Sequence, residues 1–406
     1  MMRLKRAFRA QVIPIGLLQA GQPVIRRAGL AYASLFKTMN ESVKVLSFEN
    51  ALNIAESKGK RHLLMGNGFS LALNPKLFNY GSLLDEATES GKLQGELRKT
   101  FDELNTTDFE VVMRNIRNAA QLVELYEPAN LLLVNKLKED EKNLQRILVD
   151  TITQRHPALP TDIKDTEYES CISFLGNFNG TKYSLNYDLL LYWTYMKAEG
   201  RLNCRDGFRE PEEGDTNYVE WDLGSSHDCD IVYLHGALHL FDTGQRVKKL
   251  TWSRTHVPLH TQITSALADG EYPVIVSEGE YEQKRERILH NAYLARSFSS
   301  FCNKAAGSLF AYGVAFKDND EHIRHAIAYG RIKELFIGLY GDCNAPENQQ
   351  IIHEANRIAS LRELLNQKRA AQNYRLRQSS GSAKGTKREV GMNLHYFDAS
   401  SARVWR

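Results

Sequence analysis

Short apolar runs bounded by glycine, asparagine or aspartate recur along this chain, and each has the length of a β-strand. They are His62–Met65, Lys182–Leu185, Ile231–Leu234, Pro273–Val276, Leu309–Tyr312 and Leu335–Tyr340. Continuous apolar runs of this length are typical of strands that are buried on both faces of a sheet. Longer segments with helical spacing separate several of them. This alternation predicts an α/β fold with a mostly parallel sheet and helices on both of its faces.

A helical block is predicted between the first and second of these strands. Thr107 and Glu110 have the spacing of a capping box, which marks the start of a helix. The apolar positions that follow have helical spacing along one face, and they are Phe109, Val112, Met113, Ile116 and Ala120. More helical sequence runs from about residue 124 to residue 153. Because this block is too long for a simple crossover, we predict a helical insertion over about residues 85–160.

The first 38 residues differ from the rest of the chain. They contain seven basic side chains and no acidic one, and prolines and glycines interrupt their apolar residues. We interpret them as a non-native or disordered extension, with Met39 as the natural start. An arginine-rich targeting peptide is the alternative.

The main domain is predicted to extend from residue 39 to residue 366. Residues 200–229 are polar and form an excursion before the third strand. Residues 367–392 are rich in lysine and arginine around the stretch S-S-G-S-A-K-G-T-K, which is typical of a flexible basic loop. Residues 393–406 are aromatic and strand-like, and we expect them to dock back on the domain.

Composition narrows the class of protein. Of the 406 residues, 42% are hydrophobic and 25% are charged, as in globular proteins. The net charge is +3, but the chain after residue 38 is mildly acidic, which does not favour nucleic acid as a partner. No apolar run approaches the ~20 residues needed to cross a bilayer, so a soluble protein is expected. Five cysteines without a C-x-x-C pair predict neither a disulfide framework nor a structural zinc site, and they favour a cytoplasmic location.

A glycine-containing loop follows the first predicted strand. The stretch G-N-G-F-S comprises Gly66, Asn67, Gly68, Phe69 and Ser70. Such a loop before a helix brings backbone N–H groups close to a phosphate, and the serine adds a hydroxyl donor. The full G-x-G-x-x-G pattern and the P-loop lysine are both absent. A plain strand–turn–helix junction that needs glycine is the alternative.

Polar side chains also follow the next two strands. Asn186 and Asp188 come after the second strand, where an amide and a carboxylate suit a ribose or an attacking water; Asp188 as a helix N-cap is the alternative. His235 and Gly236 follow the third strand. A histidine there can act as a general base near neutral pH, or it can simply form a hydrogen bond in the interior.

A metal site is not predicted. His239 lies four residues after His235, which is the spacing of a metal-binding pair on a helix. The glutamate of the H-E-x-x-H pattern is missing, however, and no third ligand suggests itself.

A further strand end carries Gly313, and Asp320 precedes a helix that begins near His322. Glycine at this place lets the backbone pass close to a ligand, whereas Asp320 is either a ligand contact or an N-cap. Taken together, the strand ends present Gly, Asn, Asp and His at one edge of a parallel sheet. This is how a nucleotide site is built at the point where the strand order of an α/β sheet reverses.

In this order the motifs resemble the sirtuin superfamily. The resemblance rests on G-N-G-F-S, N-Y-D at residues 186–188, H-G at residues 235–236, and Gly313 with Asp320; it covers about residues 58–340. The stretches P-V-I-V-S-E-G-E-Y-E-Q-K and F-D-A-S-S-A-R-V-W further resemble a bacterial sirtuin-like subfamily catalogued as domain of unknown function 4917. The resemblance implies a Rossmann-like NAD-binding domain. In it the glycine loop holds the pyrophosphate, Asn186 and Asp188 lie near the nicotinamide ribose, and His235 is the catalytic base.

The resemblance also implies an activity. Many bacterial relatives are NAD hydrolases in anti-phage defence, and the four-cysteine zinc module of the protein deacylases is absent here. The expected reaction is hydrolysis of NAD to ADP-ribose and nicotinamide, without a metal and with a homo-oligomer or a defence partner as the means of control. A module that binds NAD or ADP-ribose without turnover is the main alternative, and a protein deacylase is another. Binding of nucleic acid by the basic residues 368–388 is the third.

Overall fold

The computed structural model describes residues 43–75, 80–211, 214, 216–224, 228–269, 271–276, 281–380 and 390–406. These residues form a parallel sheet of seven strands, a second sheet of five antiparallel strands, and the helices that connect their strands. The proposed extension over residues 1–38 lies outside the described residues. Among the residues described, no helix has the length and apolar character needed to cross a membrane.

The strands are numbered in chain order. They are β1 (Val45–Leu46), β2 (Arg61–Met65), β3 (Lys182–Ser184), β4 (Phe208–Arg209), β5 (Tyr218–Trp221), β6 (Ile231–Tyr233), β7 (Gly236–Asp242), β8 (Val247–Leu250), β9 (Pro273–Ile275), β10 (Ala306–Tyr312), β11 (Arg331–Leu339) and β12 (Asn393–Asp398). The seven-stranded sheet has the order β1-β12-β11-β10-β2-β3-β6, and each pair of neighbouring strands is parallel. Its central strands are almost completely buried, as their apolar sequences require.

The strand order matches that of dinucleotide-binding folds. From β2 the chain proceeds outward through β3 to β6, and it then returns to the other side of β2 to form β10, β11 and β12. Six strands thus follow the order 3-2-1-4-5-6, with β1 added at the edge beside β12. The order reverses between β2 and β10, and ligands of open α/β sheets bind beyond the strand ends at such a point.

The helices are also numbered in chain order. They are α1 (Phe48–Glu56), α2 (Gly68–Leu73), α3 (Tyr80–Glu89), α4 (Gly95–Glu103), α5 (Phe109–Tyr126), α6 (Leu131–Arg155), α7 (Asp165–Gly176), α8 (Leu190–Lys197), α9 (Trp252–Thr255), α10 (Leu259–Ala268), α11 (Tyr281–His290), α12 (Ala292–Lys304), α13 (Glu321–Tyr329) and α14 (Pro346–Ser380).

The helical block between β2 and β3 consists of α3 to α6 and has a hydrophobic core of its own. Phe101 and Phe109 pack edge to face at its centre, with ring centroids 4.9 Å apart. Leucines from α3 and α6 complete this core. The helices of the block run from Tyr80 to Arg155, whereas the predicted insertion covers about residues 85–160. Helix α5 begins at Phe109, which moves its N-cap position one residue beyond Thr107.

The five-stranded antiparallel sheet has the order β4-β5-β8-β7-β9 and was not expected. Four of its strands lie between residues 208 and 250, after the polar residues that begin at 200, and the fifth is β9. All six apolar runs form strands, but β9 (Pro273–Ile275) pairs with β7 in this second sheet instead of joining the parallel one. A short apolar run indicates burial on both sides, and either kind of sheet provides it.

The region after residue 366 also differs in part from its expected form. Helix α14 continues to Ser380, so residues 367–380 are helical and not a loop. Lysine, arginine, glutamine and alanine are good helix formers, and the helix therefore extends through the basic sequence. Residues 381–389 lie outside the described part of the chain. Strand β12 then pairs with β11 on one side and with β1 on the other.

Candidate functional site

The strand ends that carry the polar motifs lie level with one another. Across the sheet, the last residues of β10, β2, β3 and β6 pair in one row, which runs Tyr312, Met65, Ser184, Tyr233. The residues that follow them therefore meet at a single edge. Gly313, Gly66, Asn186 and His235 all belong to this edge, although they are far apart in sequence.

The loop after β2 and the loop after β10 are in direct backbone contact. Gly68 donates its N–H to the carbonyl oxygen of Gly313 at 3.0 Å. A Cβ added to Gly68 would lie 2.5 Å from the Cα of Gly313. A Cβ added to Gly66 would lie 2.5 Å from the carbonyl oxygen of Gly313. Gly313 also has a φ of +64°, which favours glycine. The glycines are thus explained by the packing of two loops, which supports the alternative of a strand–turn–helix junction.

The backbone donors at the start of α2 already have acceptors within the protein. The N–H groups of Gly68, Phe69 and Ser70 donate to the carbonyl oxygens of Gly313, Gly66 and Asn67, respectively. The Phe69 ring is buried against Trp405, whose Nε1–H donates to the Phe69 carbonyl oxygen at 2.9 Å. Within G-N-G-F-S, Asn67 and Gly68 are the partly exposed residues. A ligand at this edge would therefore meet those two.

A chain of hydrogen bonds joins the loop after β2 to the loop after β3. Asn186 Nδ2 donates to Ser70 Oγ at 2.9 Å, and Ser70 Oγ donates to Asp188 Oδ2 at 2.5 Å. The other carboxylate oxygen of Asp188 accepts the N–H of Leu190 at 2.9 Å, at the start of α8. Asp188 thus joins Ser70 and Asn186 in one buried cluster and accepts a backbone N–H at the start of α8, whereas the N-cap position itself is Leu189. The contact of Asp188 with a ligand stays a prediction. Burial raises the pKa of Asp188, and the bond from Ser70 opposes that shift.

His156, at the end of α6, contacts the loop after β3 through Leu189. The sequence did not predict this contact. Nε2 of His156 accepts the N–H of Leu189 at 3.0 Å, while Nδ1 lies 3.0 Å from the carbonyl oxygen of Pro157. This pattern assigns the proton of the neutral ring to Nδ1. Burial lowers the pKa of His156 to about 4, so the ring stays neutral. The helical block thereby contributes directly to the shape of the strand-end edge.

His235 lies where the parallel sheet passes into the antiparallel sheet. It follows β6, and Gly236 begins β7 with a φ of +79°. A Cβ on Gly236 would lie 1.8 Å from the carbonyl oxygen of Val274, so glycine is required by the approach of β9. His235 is 3% exposed, and its Nε2 lies 2.8 Å from Nε2 of His322.

Asp320 also reaches His235. It occupies the N-cap position of α13, but its carboxylate does not cap the helix, and Oδ1 lies 4.0 Å from His235 Nε2. Because adjacent strands are about 4.8 Å apart, the ends of β10 and β6 are separated by roughly 14 Å. The segment from Gly313 to Asp320 therefore extends past β2 and β3 to meet His235. His322 was missed as a site residue because its contact with His235 spans 87 positions.

His239 does not join His235. The segment after His235 is the strand β7 and not a helix. Four residues of extended chain span roughly 13 Å, which is too far for both side chains to bind one metal ion. His239 is fully buried, and its ring packs against Tyr192 and Tyr233 with centroid distances of 5.1 and 5.2 Å. All five cysteines are free thiols.

Comparison with known proteins gives the family. A search of curated proteins found no significant match. A family model with the description "Domain of unknown function (DUF4917)" matches residues 63–405. The matched segment begins within β2 and ends at Trp405, which packs on the glycine loop, so it includes every strand end described above. The chain therefore belongs to this DUF4917 family.

Proposed function

We propose that this protein binds NAD and hydrolyses it to ADP-ribose and nicotinamide. The observation that carries the proposal is the strand order, which reverses between β2 and β10 and places Asn186 and His235 beyond the next two strands. An open sheet of this order binds dinucleotides at that edge. The resemblance of the motifs to sirtuin-like NAD-binding domains supports the same ligand.

The hydrogen bonds around Ser70 favour one role for Asn186. Because Nδ2 of Asn186 donates to Ser70 Oγ, the amide orientation is defined and Oδ1 is the atom left to accept. Asn186 is half-buried at the edge, whereas Ser70 and Asp188 are buried beneath it. We assign Asn186 Oδ1 to the attacking water or to a ribose hydroxyl, and we assign Ser70 and Asp188 to holding the amide in place.

The chemistry needs little more than positioning. The bond between C1 of the ribose and the nicotinamide nitrogen breaks, and its electron pair neutralises the cationic ring, so the leaving group needs no proton. The ribose passes through an oxocarbenium-like state, as in glycoside hydrolysis. A water oxygen then bonds to C1, and His235 accepts the proton that this water releases.

Backbone strain in the segment that covers this edge is consistent with a functional role. Phe316 is completely buried and has a φ of +52°, a left-handed conformation that is rare for a bulky side chain. Such strain persists where the surrounding structure enforces it, and it concentrates at active sites and ligand clamps. The ion pair of Lys317 with Asp108, at 3.4 Å, holds the same segment to the start of α5.

The test incubates the purified full chain with NAD and measures the released nicotinamide by chromatography. His235→Ala should lower turnover by about 10²- to 10⁴-fold, which is the usual cost of losing a general base. Asn186→Ala should also lower turnover strongly. His353→Ala and Asn356→Ala are the matched controls, since both residues are exposed on α14 and should retain wild-type turnover. Circular dichroism and thermal unfolding establish that each variant is folded.

Each result has a clear interpretation. Wild-type turnover in both site variants would contradict the assignment of Asn186 and His235. Calorimetric binding of NAD or ADP-ribose without nicotinamide release would favour the sensor module instead. A role in anti-phage defence, with a homo-oligomer or a partner protein as its control, stays a prediction that depends on the resemblance.

A further inference from the structure

We propose that His235, Asp320 and His322 form a binding site for a divalent metal ion of the Zn²⁺ class. Each of the three side chains offers one ligand atom, and these atoms all lie within 4.8 Å of one another. Binding by these residues does not depend on the proposed function, although its effect on turnover does.

The distances suit tetrahedral coordination. Zn²⁺ lies 2.0–2.1 Å from histidine nitrogen and 2.0–2.2 Å from carboxylate oxygen, so its ligand atoms are about 3.4 Å apart. The two Nε2 atoms are 2.8 Å apart, and Asp320 Oδ1 is 4.0 Å from His235 Nε2. These two separations bracket the required value. The third is within 4.8 Å, so side-chain movements of at most about 1.4 Å would bring the three atoms to the spacing that one ion requires.

The ligand set and its environment favour the same class of ion. Two imidazoles and one carboxylate are the donors of many zinc sites that keep a fourth position open for water. His235 and His322 are 3% and 1% exposed, respectively, and their rings face each other through Nε2. Asp320 is partly exposed, which gives the ion a route of entry from the strand-end edge. An ion that accepts both nitrogen lone pairs would hold this arrangement together.

The fold keeps the ligands on well-anchored elements. His235 is held between the two sheets, where its carbonyl oxygen accepts the N–H of Val276 at 2.9 Å. Asp320 and His322 flank the start of α13. Arg324 of that helix forms a buried ion pair with Glu354 of α14, which anchors the helix. The ligands thus lie on elements that other contacts hold in place, which favours a defined coordination geometry.

A bound ion would inhibit the reaction proposed above. Coordination of the ion by His235 Nε2 would occupy the lone pair of that nitrogen, which could then no longer accept a proton from water. Zn²⁺ should therefore inhibit nicotinamide release, and a chelator should restore it. This part of the inference rests on the proposed function.

The test uses Co²⁺ as a spectroscopic probe, with the full chain freed of metal by a chelator. Wild-type protein should take up one equivalent and develop the visible absorption of four-coordinate Co²⁺, and Zn²⁺ should displace it. His322→Ala and Asp320→Asn should each weaken binding by more than about 100-fold, since even the loss of an outer partner of a metal ligand costs 10- to 100-fold. His353→Ala should bind Co²⁺ as the wild type does.

Circular dichroism of the metal-free variants separates a lost ligand from a lost fold. Absence of Co²⁺ absorption in the folded wild type would overturn the proposal and leave a hydrogen bond between the two histidines. Equal binding by the wild type and both folded ligand variants would overturn it as well. Co²⁺ binding in a protein that never releases nicotinamide would support the metal site and contradict the NAD hydrolase. Nicotinamide release by a protein that binds no Co²⁺ would support the NAD hydrolase and contradict the metal site.

Discussion

Gly68 and Gly313 lie in direct contact, with the backbone of one packed against the backbone of the other. The N–H of Gly68 donates to Gly313, and there is no room for a Cβ on the facing side of either residue. Because this contact lies where the strand order reverses, it fixes the spacing between the loops that follow β2 and β10.

Gly68→Ala is expected to destabilise the fold, because the new methyl group would be forced against Gly313. Overpacking of this kind costs about 1–3 kcal/mol in the free energy of unfolding. Denaturant unfolding measures the change. Gly176→Ala is the control, since its Cβ would meet its nearest neighbour, a Leu202 methyl group, at an ordinary 3.9 Å. Equal stability of the two variants would contradict the packing described here. A larger side chain at Gly68 would confuse loss of fold with loss of NAD binding, so it is a poor test of the ligand site.

Ser70→Ala should cost about 1–3 kcal/mol of stability, because it removes a hydrogen bond to the buried carboxylate of Asp188 and leaves the Asn186 amide without its acceptor. A double-mutant cycle with Asp188→Asn should show coupling between the two positions, as expected for side chains in contact. Ser360→Ala removes an exposed hydroxyl that bonds within its own helix, and it should have little effect. Additive effects of Ser70→Ala and Asp188→Asn would show that the bond is unimportant.

The protein should lose stability as the pH falls from about 6.5 toward 4. Burial lowers the pKa of His156 and that of His62 to about 4. The folded state therefore binds fewer protons than the unfolded state between these values. The stabilisation is complete above pH 6.5 and is lost as the pH falls, by about 3 kcal/mol for each histidine.

His156→Gln should reduce this pH dependence, since its amide oxygen accepts the N–H of Leu189 without titrating. Denaturant unfolding between pH 4 and pH 7.5 measures the slope. His353→Ala, which changes an exposed histidine, should retain the wild-type slope. A slope in His156→Gln equal to that of the wild type would rule out a contribution from His156.

Arg362→Met should be strongly destabilising, by about 3 kcal/mol or more. The buried guanidinium of Arg362 donates to the carbonyl oxygens of Ile327, Ala328 and Ile332, at the end of α13 and the start of β11. Burial lowers its pKa to about 10, so it stays charged near neutral pH. Methionine would leave those carbonyl groups buried without donors. Lys368→Met changes an exposed charge on the same helix and should have little effect on unfolding.

The parallel sheet could be predicted because burial on both faces requires continuous apolar sequence. The six apolar runs all form strands, from β2 to β11. The residues of a strand do not specify which strand it pairs with, however. The prediction therefore assigned β9 to the parallel sheet, whereas it pairs with β7 in the antiparallel one. β4 and β5 are short and lie in polar sequence, so no periodic signal marked the second sheet.

The strand-end residues were found because glycine, asparagine and histidine after an apolar run are unusual. Their partners were harder to find. Ser70 was expected to donate to a phosphate, but it donates to Asp188, and the glycines pack against one another. His156 and His322 lie in helical sequence, where a histidine carries no local sign of its contact. Such contacts depend on how distant elements meet, and single-sequence patterns do not contain that information.

The position of β12 has a consequence for biosynthesis. This strand lies between β1 and β11, and Trp405 just beyond it holds the carbonyl oxygen of Phe69 in the glycine loop. Every other strand of the parallel sheet is translated earlier. A nascent chain therefore carries an unfilled place in its sheet and an unsupported loop after β2 until residue 405 has left the ribosome. Chains that terminate before β12 are therefore expected to lack a strand inside the parallel sheet and the contact that Trp405 makes with the loop after β2.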